Sequence, residues 1–253
     1  LSGHSRWSQI KHKKAKEDAR RGRLFSKLSR AIYVAARQGG GNPETNLTLA
    51  QAIEKAREYD MPLDNIERLI KRGTGELTDG ETFEQLIYEG YAPGGVAVMV
   101  NVMTDNRNRT AAEIRNLFSR FQGHLGESGC VNWLFERKGM ITIVQNEGVV
   151  EDEVLGVALE AGAEDFKVED NSFVILTAPE DFKKVKDALK EKNYELASAE
   201  VTMVPKSQVK VEAVDAKKVI KLIEALEEHE DVQEVYSNFD IPAEMIEELA
   251  AAN

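Results

Sequence analysis

Gly139-Met140-Ile141-Thr142-Ile143-Val144 is the stretch from which the fold can be read. Its β-branched residues predict a strand. The pattern then changes period. Residues 151–161 read as a helix, 165–168 and 172–176 as strands, 179–190 as a helix opened by Pro179, and 195–204 as a last strand. That order, βαββαβ, is the ferredoxin-like signature.

Working outward, neither flank completes a domain alone. Upstream, residues 83–91 alternate loosely and Ala92-Pro93-Gly94-Gly95 is a turn. Residues 96–102 read as a strand and 108–121 as a helix with Ile114, Leu117, Phe118 and Phe121 on one face. Residues 130–135 read as another strand. Downstream, 207–211 is a short strand candidate, 215–226 a helix and 232–237 a strand. Joined, the two flanks give a second βαββαβ. The reading is therefore one ferredoxin-like unit, 139–205, inserted into another built from 81–138 plus 206–253. Residues 242–252 form a short acidic terminal helix.

The first 80 residues read differently. Residues 18–37 carry Leu24, Leu28, Ala31, Ile32 and Ala35 at helical spacing, with a break conceivable at Gly22. Gly39-Gly40-Gly41 stops that helix. It lacks the Lys-Ser/Thr pair and the preceding strand of a phosphate-binding loop. Asn46 or Thr45 can cap a second helix with Leu49, Ile53 and Ala56 inward. Met61-Pro62 starts a third, striped by Leu63, Ile66, Leu69 and Ile70 and closed by Gly73. Three short helices with tight turns resemble a helix-turn-helix, and 74–80 reads as a linker. The fold class is α+β: an N-terminal three-helix domain, 1–80, followed by two ferredoxin-like units, one inserted into the other.

Charge divides the chain in the same place. Residues 1–37 hold eleven Lys plus Arg and two Asp plus Glu, a balance of +9. The remainder holds 22 basic and 42 acidic residues, a balance of −20, for a net charge of −11. A basic arm on an acidic body points to a polyanion, usually nucleic acid. The run is too one-sided for a mixed solvated face. Between Lys11 and Arg23 it has almost no apolar face on which to lie against a membrane. The candidate nucleic-acid-binding residues are His4, Arg6, Trp7, Lys11, His12, Lys13, Lys14, Lys16, Arg20, Arg21, Arg23, Lys27 and Arg30.

Candidates for chemistry are few. No catalytic constellation stands out. His4, His12, His124 and His229 show no metal-ligand spacing, so neither a metal nor another cofactor is expected. Cys130 has no CxxC partner and is expected to be a buried thiol in a strand; a lone Cys fits a reducing cytoplasm. Glu227, Glu228, Glu230 and Asp231 read as a solvated face. A second site is Asp105-Asn106-Arg107-Asn108-Arg109, where a strand hands over to a helix. Its arginines and free N–H groups would suit a phosphate or carboxylate; alternatively they cap and brace a domain junction. No apolar run is long enough to span a membrane, and the N-terminus lacks the apolar segment of a secretory signal.

Several stretches resemble the YebC family, which includes the mitochondrial translational activator of cytochrome oxidase. The strongest is Gly3-His4-Ser5-Arg6-Trp7 followed by Ile10-Lys11-His12-Lys13-Lys14. Family members typically have Lys where Arg6 stands, and Met-Ala where Leu1-Ser2 stands. Ala35-Ala36-Arg37-Gln38-Gly39-Gly40, Met61-Pro62 with Asn65-Ile66-Glu67-Arg68, and Tyr88-Glu89-Gly90-Tyr91-Ala92-Pro93-Gly94-Gly95 also fit. So do Thr104-Asp105-Asn106-Arg107-Asn108-Arg109 and Leu125-Gly126-Glu127-Ser128-Gly129. The resemblance implies a cytoplasmic regulator of gene expression with three domains and no enzymatic activity. It implies one of two roles with which members have been labelled, a transcriptional regulator that binds DNA or a ribosome-associated factor that assists translation through difficult stretches such as proline runs.

Charge and helices reach a nucleic-acid binder unaided, but not DNA or RNA. Structured RNA, ribosomal RNA above all, is the preferred partner. The third helix is poor in base readers: beyond Arg68, Lys71 and Arg72 it offers chiefly Asn65, between Asp64 and Glu67. A protein–protein adaptor, and an enzyme using the 105–109 loop, are the other readings.

Overall fold

A computed structural model describes residues 18–77, 82–146, 148–169, 172–242 and 245. Three helices come first: α1 (Asp18–Gly39), α2 (Leu47–Glu58) and α3 (Leu63–Gly73). The first runs through Gly22 without a break. Leu28, Ile32, Ala35 and Ala36 of α1 pack on Leu49, Ile53 and Ala56 of α2 and on Met61 and Ile66. Asn46 ties the turn together. Its Oδ1 accepts the Leu49 N–H at 3.1 Å, capping α2, and its Nδ2 donates to the carbonyls of Ala35 and Gly40, each at 2.8 Å. Gly39 lies against this side chain; a Cβ there would meet Asn46 Nδ2 at 2.6 Å.

Next come β1 (Glu84–Ala92), β2 (Val96–Thr104), α4 (Arg107–Arg120) and β3 (His124–Leu125). The chain then builds β4 (Phe135–Val144), α5 (Glu151–Ala161), β5 (Ala163–Glu169), β6 (Ser172–Thr177), α6 (Phe182–Glu191) and β7 (Leu196–Pro205). It returns through β8 (Val209–Lys210), α7 (Ala213–Glu228), β9 (Val232–Ser237) and β10 (Phe239–Asp240). The molecule is α+β, and both four-stranded sheets are antiparallel throughout.

The sheet of β4 to β7 has order β5-β6-β4-β7, the ferredoxin-like arrangement, with α5 and α6 packed on it. It begins earlier than Gly139: Phe135 pairs with Pro205 and Lys138 with Thr202.

The sheet that hosts it has order β3-β1-β2-β9. Its geometry is ferredoxin-like, but its strands come from other places than 130–135 and 207–211. The edge strand after α4 is β3, at His124–Leu125. The antiparallel central strand is β1, upstream of β2, and pairs with it from Glu84↔Thr104 to Ala92↔Val96. Residues 209–210 instead pair in parallel with β10, off the main sheet. The chain order is thus ββαβαβ, with one central strand of the βαββαβ plan moved to the front, and the loosely alternating residues at 83–91 supply that strand.

Residues 130–134 form no strand, and a buried carboxylate takes the N–H groups of Val131 and Asn132. Glu89 Oε2 accepts from Val131 N at 2.8 Å and Asn132 N at 2.7 Å, and its Oε1 accepts from Gly129 N at 2.7 Å. The segment is a tight turn ending in the 3₁₀ turn Asn132–Leu134. Cys130 is therefore half-buried in a turn, and burial pushes its thiol up, with Glu89 adding to the effect.

β2 holds the units together. Val96, Val98, Val100 and Val102 face α4 and α7. Of the alternate residues, Ala97 and Met99 pack with Val131 and Phe135, and Met103 with Tyr33 and Val34 of α1. Both faces are buried, which is why the strand reads as a continuous apolar run.

Candidate nucleic-acid interface

Of the candidate nucleic-acid contacts, His4, Arg6, Trp7, Lys11, His12, Lys13, Lys14 and Lys16 lie outside the described residues. Arg20 and Arg21 lie in the first turn of α1. Arg23, Lys27 and Arg30 follow at helical spacing, and the structure separates them. Arg23 is exposed. Lys27 and Arg30 turn to the body of the protein. Lys27 Nζ donates to the Glu227 carbonyl at 2.6 Å, and Arg30 Nη1 donates to the Glu230 carbonyl and to Asp231 Oδ1, the latter at 3.0 Å.

Asp231 is the centre of this junction. It belongs to the acidic run 227–231 that reads as a solvated face, yet it is 1% exposed. Its Oδ2 accepts from Arg109 Nη2 at 2.9 Å, Thr110 Oγ1 at 2.7 Å and Thr104 Oγ1 at 3.2 Å. Its carbonyl accepts the Met103 N–H at 2.8 Å. Burial works against the charge. The Thr110 and Arg109 hydrogen bonds and the charges of Arg109 and Arg30 outweigh it, and hold the carboxyl below its ordinary range. The same hydrogen bond raises the Arg109 guanidinium. The signal in the sequence was faint: Asp231 is the last acid before the strand that starts at Val232.

The loop 105–109 joins the same knot. Asn106 caps α4, its Oδ1 accepting the Arg109 N–H at 3.1 Å. Asp105 Oδ1 accepts from Arg109 Nη2 at 2.9 Å, so that guanidinium is shared between Asp105 and Asp231. Arg109 is thereby used as a brace between β2, α4 and the α7–β9 turn. Arg107 and Asn108 are exposed at the start of α4. The structure brings Arg109 to Arg30 through one carboxylate; it does not gather Arg107 and Asn108 into the knot.

One cluster has donor atoms a cation could use. Carboxylate oxygens of Glu113 and Asp231 and a ring nitrogen of His229 come within 4.8 Å of one another. Each group is already spent on a hydrogen bond. The Asp231 N–H donates to His229 Nδ1 at 3.1 Å, which puts the ring proton on Nε2, 2.8 Å from Glu113 Oε2. These bonds fasten α4 to the α7–β9 turn.

A second brace lies on α2. Lys186 of α6, largely buried, donates to Glu54 Oε1 at 2.9 Å. Hydrogen bonding to Lys186 lowers the Glu54 carboxyl, against a smaller opposing effect of burial. The three-helix module is thus held to both sheets, by Lys27 and Arg30 to one and by Glu54 to the other.

The turn built on Glu89 presents an exposed side chain. Trp133 is 64% exposed. Its Nε1 donates to the Cys130 carbonyl at 3.1 Å, which also accepts from Tyr91 Oη at 3.1 Å. Glu89 and Trp133 were not legible as a pair, because 44 positions separate them in the chain.

Comparison with known proteins covers nearly the whole chain. The family model described as "TACO1/YebC protein N-terminal domain" matches residues 5–76, and that described as "TACO1/YebC second and third domain" matches residues 83–239. A protein of Dictyoglomus turgidum named "Probable transcriptional regulatory protein" is 56% identical over 250 residues, 99% of this chain and 100% of its own. One of the same name from Thermotoga maritima is 51% identical over 249 residues, 98% of each chain. The crystal structure of the conserved hypothetical protein Aq1575 from Aquifex aeolicus superposes with a TM-score of 0.77 at 53% identity, over 90% of this chain and 93% of that one.

Proposed function

The chain belongs to the TACO1/YebC family, and from that premise we propose that it is a non-enzymatic regulator of gene expression that binds RNA and acts on translation at the ribosome. One observation carries the reading. A charge of +9 is confined to the first 37 residues of a chain whose remainder is −20, and the helix carrying the end of that charge is fixed to the body through Asp231. Lysines and arginines in such an arm track phosphates and release counterions. The acidic body disfavours a long bare duplex and tolerates a site beside protein or in a cleft of folded RNA.

On this reading the binding residues are His4, Arg6, Trp7, Lys11, His12, Lys13, Lys14, Lys16, Arg20, Arg21 and Arg23. Lys27 and Arg30 orient the helix. The protein works in the cytoplasm, and relief of stalling at proline runs is the form of assistance expected. Among the described residues no helix is long and apolar enough to cross a membrane.

The name carried by the relatives favours a second reading, a transcriptional regulator on DNA. Competition at physiological salt between ribosomes and operator-length duplexes, with shuffled duplexes as control, separates the two. Retention on ribosomes that duplexes do not displace is the expected result. Tight, sequence-dependent duplex binding that ribosomes do not compete away would make it a transcription factor.

A further inference from the structure

A hollow of about 180 Å³ opens between α1, α3 and the start of β1. Ser26, Ser29, Arg30 and Tyr33 of α1, Leu69 and Arg72 of α3, and Phe83 line it. The four α1 residues follow at i, i+3, i+4 and i+7, so they share one face of the helix. That face continues from Arg23, one turn nearer the basic arm.

The charges in the hollow do not cancel. Arg30 lies over the Phe83 ring at 5.1 Å, and its charge is met by Asp231 at 3.0 Å. Arg72 lies over the Tyr33 ring at 5.9 Å, and among the described residues no carboxylate forms an ion pair with it. A cation–π contact draws on the charge of a guanidinium and does not take up its whole fork of N–H donors. The ring therefore holds the fork near the hollow without satisfying it. Tyr33 is itself fixed: it is 6% exposed, meets Phe83 edge-on at 5.8 Å, and accepts a hydrogen bond from Arg37 Nη1 at 3.1 Å. Among the described residues the Ser26 and Ser29 hydroxyls also have no hydrogen-bond partner. The hollow thus offers one uncompensated positive charge, a planar donor fork and two hydroxyl donors.

We propose that this hollow seats one phosphodiester of a bound nucleic-acid strand, with Arg72 and the Ser26 and Ser29 hydroxyls as its donors. The match is in charge as well as geometry, since a phosphodiester carries a single negative charge and the fork binds phosphate oxygens in pairs. A strand running down the arm past Arg23 reaches the hollow within the next turns of α1. The backbone contact then fixes how far the strand extends on the three-helix module, and Arg72 belongs to the interface although it lies far from the arm in the chain. This inference rests on the proposed nucleic-acid function and names a further site of it.

The test uses the full-length chain and a mixed-sequence single-stranded RNA, with affinity measured across a salt series. Arg72→Gln should weaken binding on the order of tenfold and reduce the magnitude of the slope of log K against log salt by about 0.7, one phosphate contact's worth. Ser26→Ala with Ser29→Ala should weaken binding and leave the slope unchanged, because neutral donors release no counterion. The same variants keep the test informative if Arg72→Gln lowers the melting temperature. Wild-type slope and affinity in both variants, with RNA binding intact, would overturn the phosphodiester seat and leave the proposed function standing. A wild-type chain that binds no nucleic acid would overturn both. A third arm substitutes inorganic phosphate. Thermal stabilisation by phosphate that Arg72→Gln abolishes, with an unchanged RNA slope, would make the hollow a free-phosphate site and the proposal wrong.

Discussion

At the scale of single residues, two buried carboxylates do opposite kinds of work. Asp231 gathers donors from separate units, whereas Glu89 shapes a turn within one. Removing the Asp231 charge strands Arg30 and two threonine hydroxyls, so Asp231→Asn is expected to cost about 2–4 kcal/mol near neutral pH; Arg109, 44% exposed, adds little because solvent screens it. The sign of the pH dependence follows from the depressed carboxyl. A folded value below the unfolded one contributes stability above the unfolded value, near 4, and loses it as pH falls through the folded value. Urea unfolding of wild type and Asp231→Asn between pH 7 and pH 3 should therefore give curves that converge in acid. A gap that stays constant would mean that the carboxylate charge is not what the junction uses. Nothing in 227–231 marked Asp231 as different by composition, since burial is decided by β9 running back to Met103, a pairing between distant segments.

At the scale of elements, the sequence reveals what neighbouring residues fix and hides what depends on distant partners. The helix stripes, the Asn46 cap and the β2 run follow from nearest neighbours in sequence. Asn46→Ala should cost about 1–3 kcal/mol, because it removes a cap and leaves the Ala35 and Gly40 carbonyls without their donor. Asn46→Asp keeps the cap acceptor and loses both donors, so chemical denaturation should place it between wild type and the alanine variant. The segment 130–135 reads as a strand by sequence, yet 130–134 form a turn. The competitor was Glu89, whose carboxylate offers three backbone N–H groups a better partner than a ladder. Glu89→Gln keeps the shape but has only one acceptor oxygen, and turns an amide N–H toward those donors. A loss of roughly 2–4 kcal/mol is expected. The chain has two tryptophans, so in a Trp7→Phe background Trp133 reports the turn alone. Its emission should shift and amide exchange at 129–132 should accelerate; an unchanged spectrum and exchange pattern would show that the turn holds without the carboxylate.

At the scale of the whole molecule, one unit was legible as a contiguous pattern and the other was not. The six elements of 135–205 occur in ferredoxin-like order, so their periods alone reveal the topology. The host sheet takes its central strand β1 from upstream of β2 and β9 from near the far end of the chain, and such a rearranged order leaves no sequential signature. The consequence can be tested with fragments. Residues 135–205 contain every strand of their sheet and a buried core of Ile141, Ile143, Phe173, Ile175, Val185 and Leu189, so they should melt cooperatively alone. Residues 139–205 lack the partners of Thr202 to Pro205. That fragment should fold with a lower urea midpoint, its β7 end frayed. Residues 82–134 should not fold, because Val98, Val100 and Val102 would lose Val219, Ile223 and Val235, which lie beyond the insertion. Circular dichroism melts of the three fragments decide the matter. A cooperative transition from 82–134, or equal midpoints for the two longer fragments, would show that the strand pairings do not set the folding units.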